Sequence, residues 1–186
     1  MKIVVASGNA HKIDEIAHIL TDFEIVSMRE MGFDGEIVED GSTFKENALI
    51  KAKFIAGRFN LPALADDSGL CVDALGGAPS IYSARYSGGG DRENRKLLLK
   101  NLEGVKDRTA RFKSAVCLYY PDGKTVFGEG ECVGRILFED TGTGGFGYDP
   151  IFFSDDLQKS FGLASADEKN SVSHRFRALC DLKNKL

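Results

Sequence analysis

The first 28 residues constrain this chain more than any other stretch. KIVVAS is a continuous apolar run with β-branched residues that ends in a small polar turn, the pattern of a strand buried on both faces. HKIDEIAHIL follows, with Ile13, Ile16, Ala17 and Leu20 at i, i+3, i+4 and i+7, so one apolar stripe runs down an amphipathic helix. FEIVSM then reads as a second strand. Strand, helix and strand make a β-α-β unit, which sets its two strands parallel and places a helix over the sheet. The chain is thereby directed toward the α/β class.

Later segments extend this frame. TFKE offers Thr43 as an N-cap with Glu46 as its reciprocal partner. The helix NALIKAKFIAGRF follows, with an apolar stripe of Phe44, Ala48, Ala52, Ile55 and Phe59; Asn47 and Lys51 share a different face. PALADDSGLCVDAL reads as a strand interrupted at Asp66 and Asp67, and GGAPS and YSGGGD read as loops. DRENRKLLLKNLEG is expected to be a helix capped by Asp91 and stopped at Gly104. RFKSAVCLYY and KTVFGEGECVGRILF are strands joined by the hairpin PDGK. TGTGGFGYDP, residues 141–150, is a glycine-rich loop. SADEKN opens a helical turn with its own capping box, and SHRFRALCDLKNKL forms a last helix from Ser173, with Lys183 and Lys185 at its dipole-favoured end. There is no repeat, low-complexity tract or linker. The expectation is one α/β domain over residues 1–186, a mixed twisted sheet with flanking helices.

Composition excludes several classes. At 186 residues with 42% hydrophobic and 28% charged side chains, the chain has an ordinary globular make-up and enough length for a core. No apolar run approaches the roughly 18 residues that span a bilayer. The start MKIVVASGNA lacks a cleavage pattern and reads as a mature strand. Cys71, Cys117, Cys132 and Cys180 contain no C-x-x-C pair, which argues against a disulfide framework or zinc site and points to a reducing cytoplasm. A net charge of −4 opposes broad adhesion to nucleic acid, yet a few cations in one cleft with a divalent ion can hold phosphates.

Four groups of residues carry possible chemistry. Ser7, Gly8, Asn9, Ala10, His11 and Lys12 lie between strand and helix, where free N–H groups suit phosphate; a plain βα turn with an Asn cap is the alternative. Glu39, Asp40, Asp66 and Asp67 form an acidic set, and Mg²⁺ favours one or two carboxylates completed by waters and substrate phosphates. A turn explains the tandem acids as readily. Adjacent strand residues point to opposite faces, so Asp66 and Asp67 are expected to do different jobs. GGFGYDP offers Phe146 and Tyr148 between glycines for stacking on a base, worth roughly 1–3 kcal/mol, with Asp149 as an acceptor; core filling is the other reading. Lys169, His174 and Arg175 are donors near the last helix. Arg175 opposes the dipole there, so something else is expected to need it.

SGNAHK, EDGSTFKENALIKA, ALADDSGLCVDALGGAPSIYSARYSG, GTGGFGYDPIF and EKNSVSHRFRAL, in this order and nearly end to end, resemble the inosine triphosphate pyrophosphatase family, the dITP/XTP pyrophosphatases. The resemblance implies Mg²⁺-dependent hydrolysis of nonstandard purine nucleoside triphosphates to monophosphate and pyrophosphate. It also implies an elongated two-lobed domain with a central cleft, a cytoplasmic place and a homodimer. Carried over by motif, Ser7 to Lys12 and Lys51 hold the triphosphate, and Glu39 and Asp67 serve the metal. Asp67 is the proton acceptor and Ser68 touches substrate. Phe146, Gly147, Tyr148, Asp149, Lys169, His174 and Arg175 hold the base. Two departures stand out: Ser7 where relatives often have Thr, and Asp40 after Glu39 where many have Thr. A carboxylate beside Mg²⁺ is a weak base, which favours Asp67 as ligand and water-orienter. A 6-keto group and N1–H suit Arg175 and Asp149, and adenine presents the reverse at both positions. Competing expectations are a Maf-like pyrophosphatase acting on pyrimidine triphosphates and a non-catalytic nucleotide sensor.

Overall fold

A computed structural model describes residues 1–186. Its strands are β1 (Lys2–Val5), β2 (Glu24–Ser27), β3 (Ala63–Val72), β4 (Thr109–Tyr119), β5 (Thr125–Ile136), β6 (Phe152–Ser154) and β7 (Lys159–Ser160). They form one sheet in the order β2-β1-β3-β4-β5-β6-β7. β1 runs parallel to β2 and β3, whereas β5–β6 and β6–β7 are antiparallel, so the sheet is mixed as expected. The helices are α1 (Ala10–Ile19), α2 (Phe44–Phe59), α3 (Asp91–Asn101), α4 (Ala166–Val172) and α5 (His174–Lys183). None is long and apolar enough to cross a membrane.

The chain divides into two compact units: Met1–Asp67 with Ser114–Gly130 and Arg175–Leu186, and Ser68–Lys113 with Glu131–His174. In the first, β1 alternates. Ile3 and Val5 pack with Ile16 of α1, Leu20 at its C-cap, and Ala178, Leu179 and Leu182 of α5. Val4 packs on the other face with Ala48, Ala52, Ile55 and Ala56 of α2. Helices on both faces explain why β1 reads as unbroken apolar sequence. In the second unit, Leu70, Val72, Leu98, Leu102, Phe112, Phe152 and Phe161 form the core. All four cysteines are free, and Cys71, Cys117 and Cys132 are buried.

Several local expectations are corrected. β3 runs without a break through Asp66 and Asp67. The apolar flanks keep the ladder going because partners elsewhere in the fold compensate both carboxylates. Ala17 is exposed, and Ile13 and Ile19 flank the buried Ile16 and Leu20 instead. Asp91 is the first residue of α3 rather than its cap; the cap is Gly90. α3 ends at Asn101, three residues before Gly104. Thr43 does cap α2 by accepting from Glu46 N at 3.1 Å, but Glu46 reaches Ser42 N at 2.7 Å, one residue earlier than a capping box requires. At α4 both halves of the box form, between Ser165 and Glu168.

Backbone contact between β5 and α5 depends on one glycine. A Cβ at Gly128 would lie 2.1 Å from Ala178 O, so α5 can approach only a residue with no side chain. Gly57 in α2 faces open space. Gly128→Ala is therefore expected to destabilise the protein by about 1–3 kcal/mol. Gly57→Ala is expected to be neutral or stabilising by up to ~1 kcal/mol. Thermal melts of both variants check the pair; equal effects would contradict the packing described.

Candidate active site

β3 enters its acidic pair after Ala63, Leu64 and Ala65, all fully buried. The pleat then sends the two carboxylates to opposite faces. Asp66 follows Leu64 toward the α1–α5 face, and Asp67 follows Ala65 toward α2. Asp66 Oδ2 meets Lys12 Nζ of α1 at 2.7 Å and Arg175 Nη2 of α5 at 3.2 Å, and Ser114 Oγ donates to Oδ1 at 2.5 Å. Burial alone would raise this carboxyl, but Arg175 and Lys12, with hydrogen bonds from Lys12 and Ser114, hold it well below the ordinary range. Arg175 is 1% exposed and also pairs with Glu15.

Asp67 is treated differently. Asn47 Nδ2 donates to its Oδ2 at 3.1 Å, and Lys51 Nζ stands 3.6 Å from Oδ1. Burial, then the neighbouring Glu39, push the Asp67 carboxyl above its usual value against the pull of Lys51 and Asn47. Lys51 Nζ also meets Glu39 Oε1 at 3.2 Å and donates to Asp66 O at 3.0 Å. One ammonium thus serves two carboxylates that repel each other, a centre short of positive charge. Glu39 faces Lys51 while Asp40 is exposed. No group of three or more His, Cys, Asp or Glu converges on one point. Two carboxylates with unmet demand for cation suit Mg²⁺, whose remaining ligands are waters and phosphate oxygens. Glu39 and Asp67 therefore fit such an ion.

The turn before α1 begins beside this centre. Ser7 Oγ accepts from Asn9 N at 3.1 Å, and Asn9 caps the helix by accepting from Lys12 N at 3.3 Å. The Asn cap of a plain βα turn is present, and Lys12 is held on Asp66. Burial lowers the Lys12 pKa, and Asp66 opposes that shift. Gly8, Ala10 and His11 are exposed.

The aromatic set lies in the second unit. Lys169 Nζ sits 2.7 Å from Asp149 Oδ2 and 4.3 Å from the centre of the Phe146 ring. Asp149 Oδ2 also accepts from Phe146 N at 2.8 Å. Gly145 has φ +71°, and a Cβ there would fall 2.1 Å from Asp149 Oδ2. Phe146 is half-buried, but Tyr148 is in the core and donates to Ser83 O at 2.8 Å. Of the two readings of this loop, core filling describes Tyr148, and burial pushes its phenol up. His174 is buried and stacks on Phe112 at 4.9 Å and 15°. Ser68 follows Asp67 on β3 and is half-buried.

Sequence reasoning did not assign Asn47, Ser114 or Glu15 to the site. Asn47 carried a signal, its i, i+4 relation to Lys51. Its Oδ1 accepts from Gly41 N at 2.9 Å while its amide holds Asp67, so it links the Glu39 loop to β3. Ser114 and Glu15 carried none, being 48 and 160 residues from their partners.

Fold and site together define an α/β protein with an acid–lysine centre of Glu39, Lys51 and Asp67 in its first unit. A family model described as the Ham1 family matches residues 3–185, and the chain belongs to that family. It is 48% identical to a dITP/XTP pyrophosphatase of Desulfotalea psychrophila over 185 residues, covering 97% of this chain and 83% of that protein. The dITP/XTP pyrophosphatase of Clostridium perfringens is 46% identical over 100% of this chain and 97% of its own. Among solved structures, the Staphylococcus aureus Ham1 protein superposes with a TM-score of 0.90 at 39% identity, covering 100% of this chain and 97% of that one.

The tandem acids are expected to answer substitution in opposite senses. A depressed pKa means that Asp66 stabilises the fold at neutral pH and loses that contribution only as pH falls through its depressed value. A raised pKa means that ionised Asp67 costs stability at neutral pH, a cost relieved as pH falls through its raised value. With chelator present, Asp66→Asn is expected to destabilise by about 3–5 kcal/mol, because Lys12 and Arg175 lose the carboxylate they share. Asp67→Asn is expected to melt at or above the wild-type temperature. Urea and thermal denaturation of both variants check this.

Proposed function

We propose that the protein hydrolyses nonstandard purine nucleoside triphosphates, dITP or ITP and XTP or dXTP, to the monophosphate and pyrophosphate. The observation that carries the reading is the Glu39–Lys51–Asp67 centre, where two carboxylates share one ammonium. Relatives that bear the name dITP/XTP pyrophosphatase support the substrate class. The reading includes a homodimer and a cytoplasmic place, both from the resemblance.

Glu39 and Asp67 would hold a divalent ion, which when bound supplies charge on the phosphates and acidifies the attacking water. Lys51, beside both carboxylates, binds the polyphosphate and offsets charge on the leaving pyrophosphate. The turn from Ser7 to Lys12 presents the start of α1 to phosphate oxygens. Asn47 holds Asp67 in place, and Asp67 orients the attacking water. Ser68 touches substrate. Phe146 stacks on the base. Asp149, Lys169 and His174, with the peptide groups of Gly147 and Tyr148, recognise its edge. Arg175 is assigned to the 6-keto oxygen, and that role requires its guanidinium to exchange a carboxylate for the base.

A panel of ITP, dITP, XTP, GTP, ATP and UTP, with and without Mg²⁺ and with product identification, tests the reading. Pyrophosphate from ITP and XTP only when Mg²⁺ is present is the expected result. Asp67→Asn is expected to lower turnover by about 10²–10⁴-fold while nucleotide binding persists. Orthophosphate as the product, or UTP as the preferred substrate, would overturn it.

A further inference from the structure

We propose that Asp91 and Arg95 of α3 form a clamp that sets the conformation of the 141–150 loop and thereby its discrimination among bases. The inference rests on the reading of Phe146 and Asp149 as base-recognition residues. Asp91 and Arg95 are one helical turn apart and share a face. Between them they take both polar groups of one residue: Asp91 Oδ2 accepts from Gly147 N at 2.8 Å, and Arg95 Nη1 donates to Gly147 O at 2.8 Å. The rest of the Arg95 fork closes on the residue that leads into the loop, with Nε on Asp140 Oδ1 and Nη2 on Asp140 Oδ2, both at 2.9 Å. A bidentate guanidinium–carboxylate pair is directional as well as strong.

Gly147 is where such a clamp has most effect. It separates half-buried Phe146 from the buried, anchored Tyr148, and its φ of +59° belongs to the left-handed region. Gly145, on the other side of Phe146, has φ +71°. Glycines reach these conformations without strain but lose more freedom than other residues when held there. A ring carried between two such hinges needs fixed peptides on both sides if it is to meet a base in one pose. Phe146 N is fixed by Asp149, and Gly147 by the clamp. Asp91 and Arg95 are positioning residues, because they act through the loop.

Two measurements on the folded full chain separate the clamp from the substrate reading. Amide hydrogen exchange over residues 141–150 needs no substrate. Exchange is expected to speed up in Asp91→Ala, Arg95→Ala and Arg95→Lys, which keeps charge but loses the fork, and to return to wild type in Asp91→Asn, which keeps an acceptor. In kinetics, KM for ITP is expected to rise about tenfold with little change in kcat, and the ITP-over-ATP ratio of kcat/KM to fall by about the same factor, in the three loosened variants. Wild-type exchange in those variants would overturn the clamp. So would a loss of kcat with KM and discrimination unchanged. Failure of the wild-type protein to turn over ITP would overturn the substrate reading and leave the exchange result to decide the clamp.

Discussion

Burial of the Asp66 carboxylate is the constraint on which the first unit depends. A carboxylate with no exposed side-chain surface, in the centre of a strand, is tolerable only with opposite charge and hydrogen bonds on its oxygens. Lys12 supplies charge from the first turn of α1, Arg175 from the start of α5, and Ser114 a hydroxyl from β4. The ion pairs therefore fix where two helices begin relative to β3. Arg175 stands in a first turn, where the dipole disfavours it, and its two carboxylate partners, Asp66 and Glu15, explain the placement.

Asp67 gains its character from that arrangement. The pleat turns it to the α2 face, where Asn47 and Lys51 hold it in place without neutralising it fully. Glu39 increases the deficit of positive charge. One residue is thus locked in its ionised form while its neighbour is left short of positive charge. Such a centre is unfavourable in the resting protein, which is the ordinary relation between stability and a site built for charge.

The sequence made the frame legible because each of its elements is written locally. The β-α-β opening, the Thr43 cap and the Ser165–Glu168 box need only neighbours within one turn. The divergence of Asp66 and Asp67 follows from strand geometry alone. What the sequence hid depends on distant partners. β3 was expected to break at the acids, because nothing nearby reveals that Lys12, Arg175 and Lys51 compensate them. Asp91 resembled a cap, yet its side chain is engaged with Gly147, 56 residues away. Ala17 fitted the helical period, but the face toward the sheet is centred on Ile16 and Leu20, and a small side chain at its margin is left exposed. Phe146 and Tyr148 looked equivalent beside Gly147, but Tyr148 packs in the core and donates to the Ser83 carbonyl, whereas Phe146 is half-buried under Lys169.

Whether the pleat gives two adjacent acids opposite electrostatic fates can be read residue by residue. Carboxyl-carbon NMR titration of the metal-free protein, with Asp66 and Asp67 assigned through Asn substitutions, reports each side chain separately. The expected result is Asp66 ionised well below the usual aspartate range and Asp67 titrating above it, with the Asp67 resonance moving when Mg²⁺ and a nucleotide are added. Both side chains titrating together near the ordinary aspartate value, with no response of Asp67 to the cation, would contradict it.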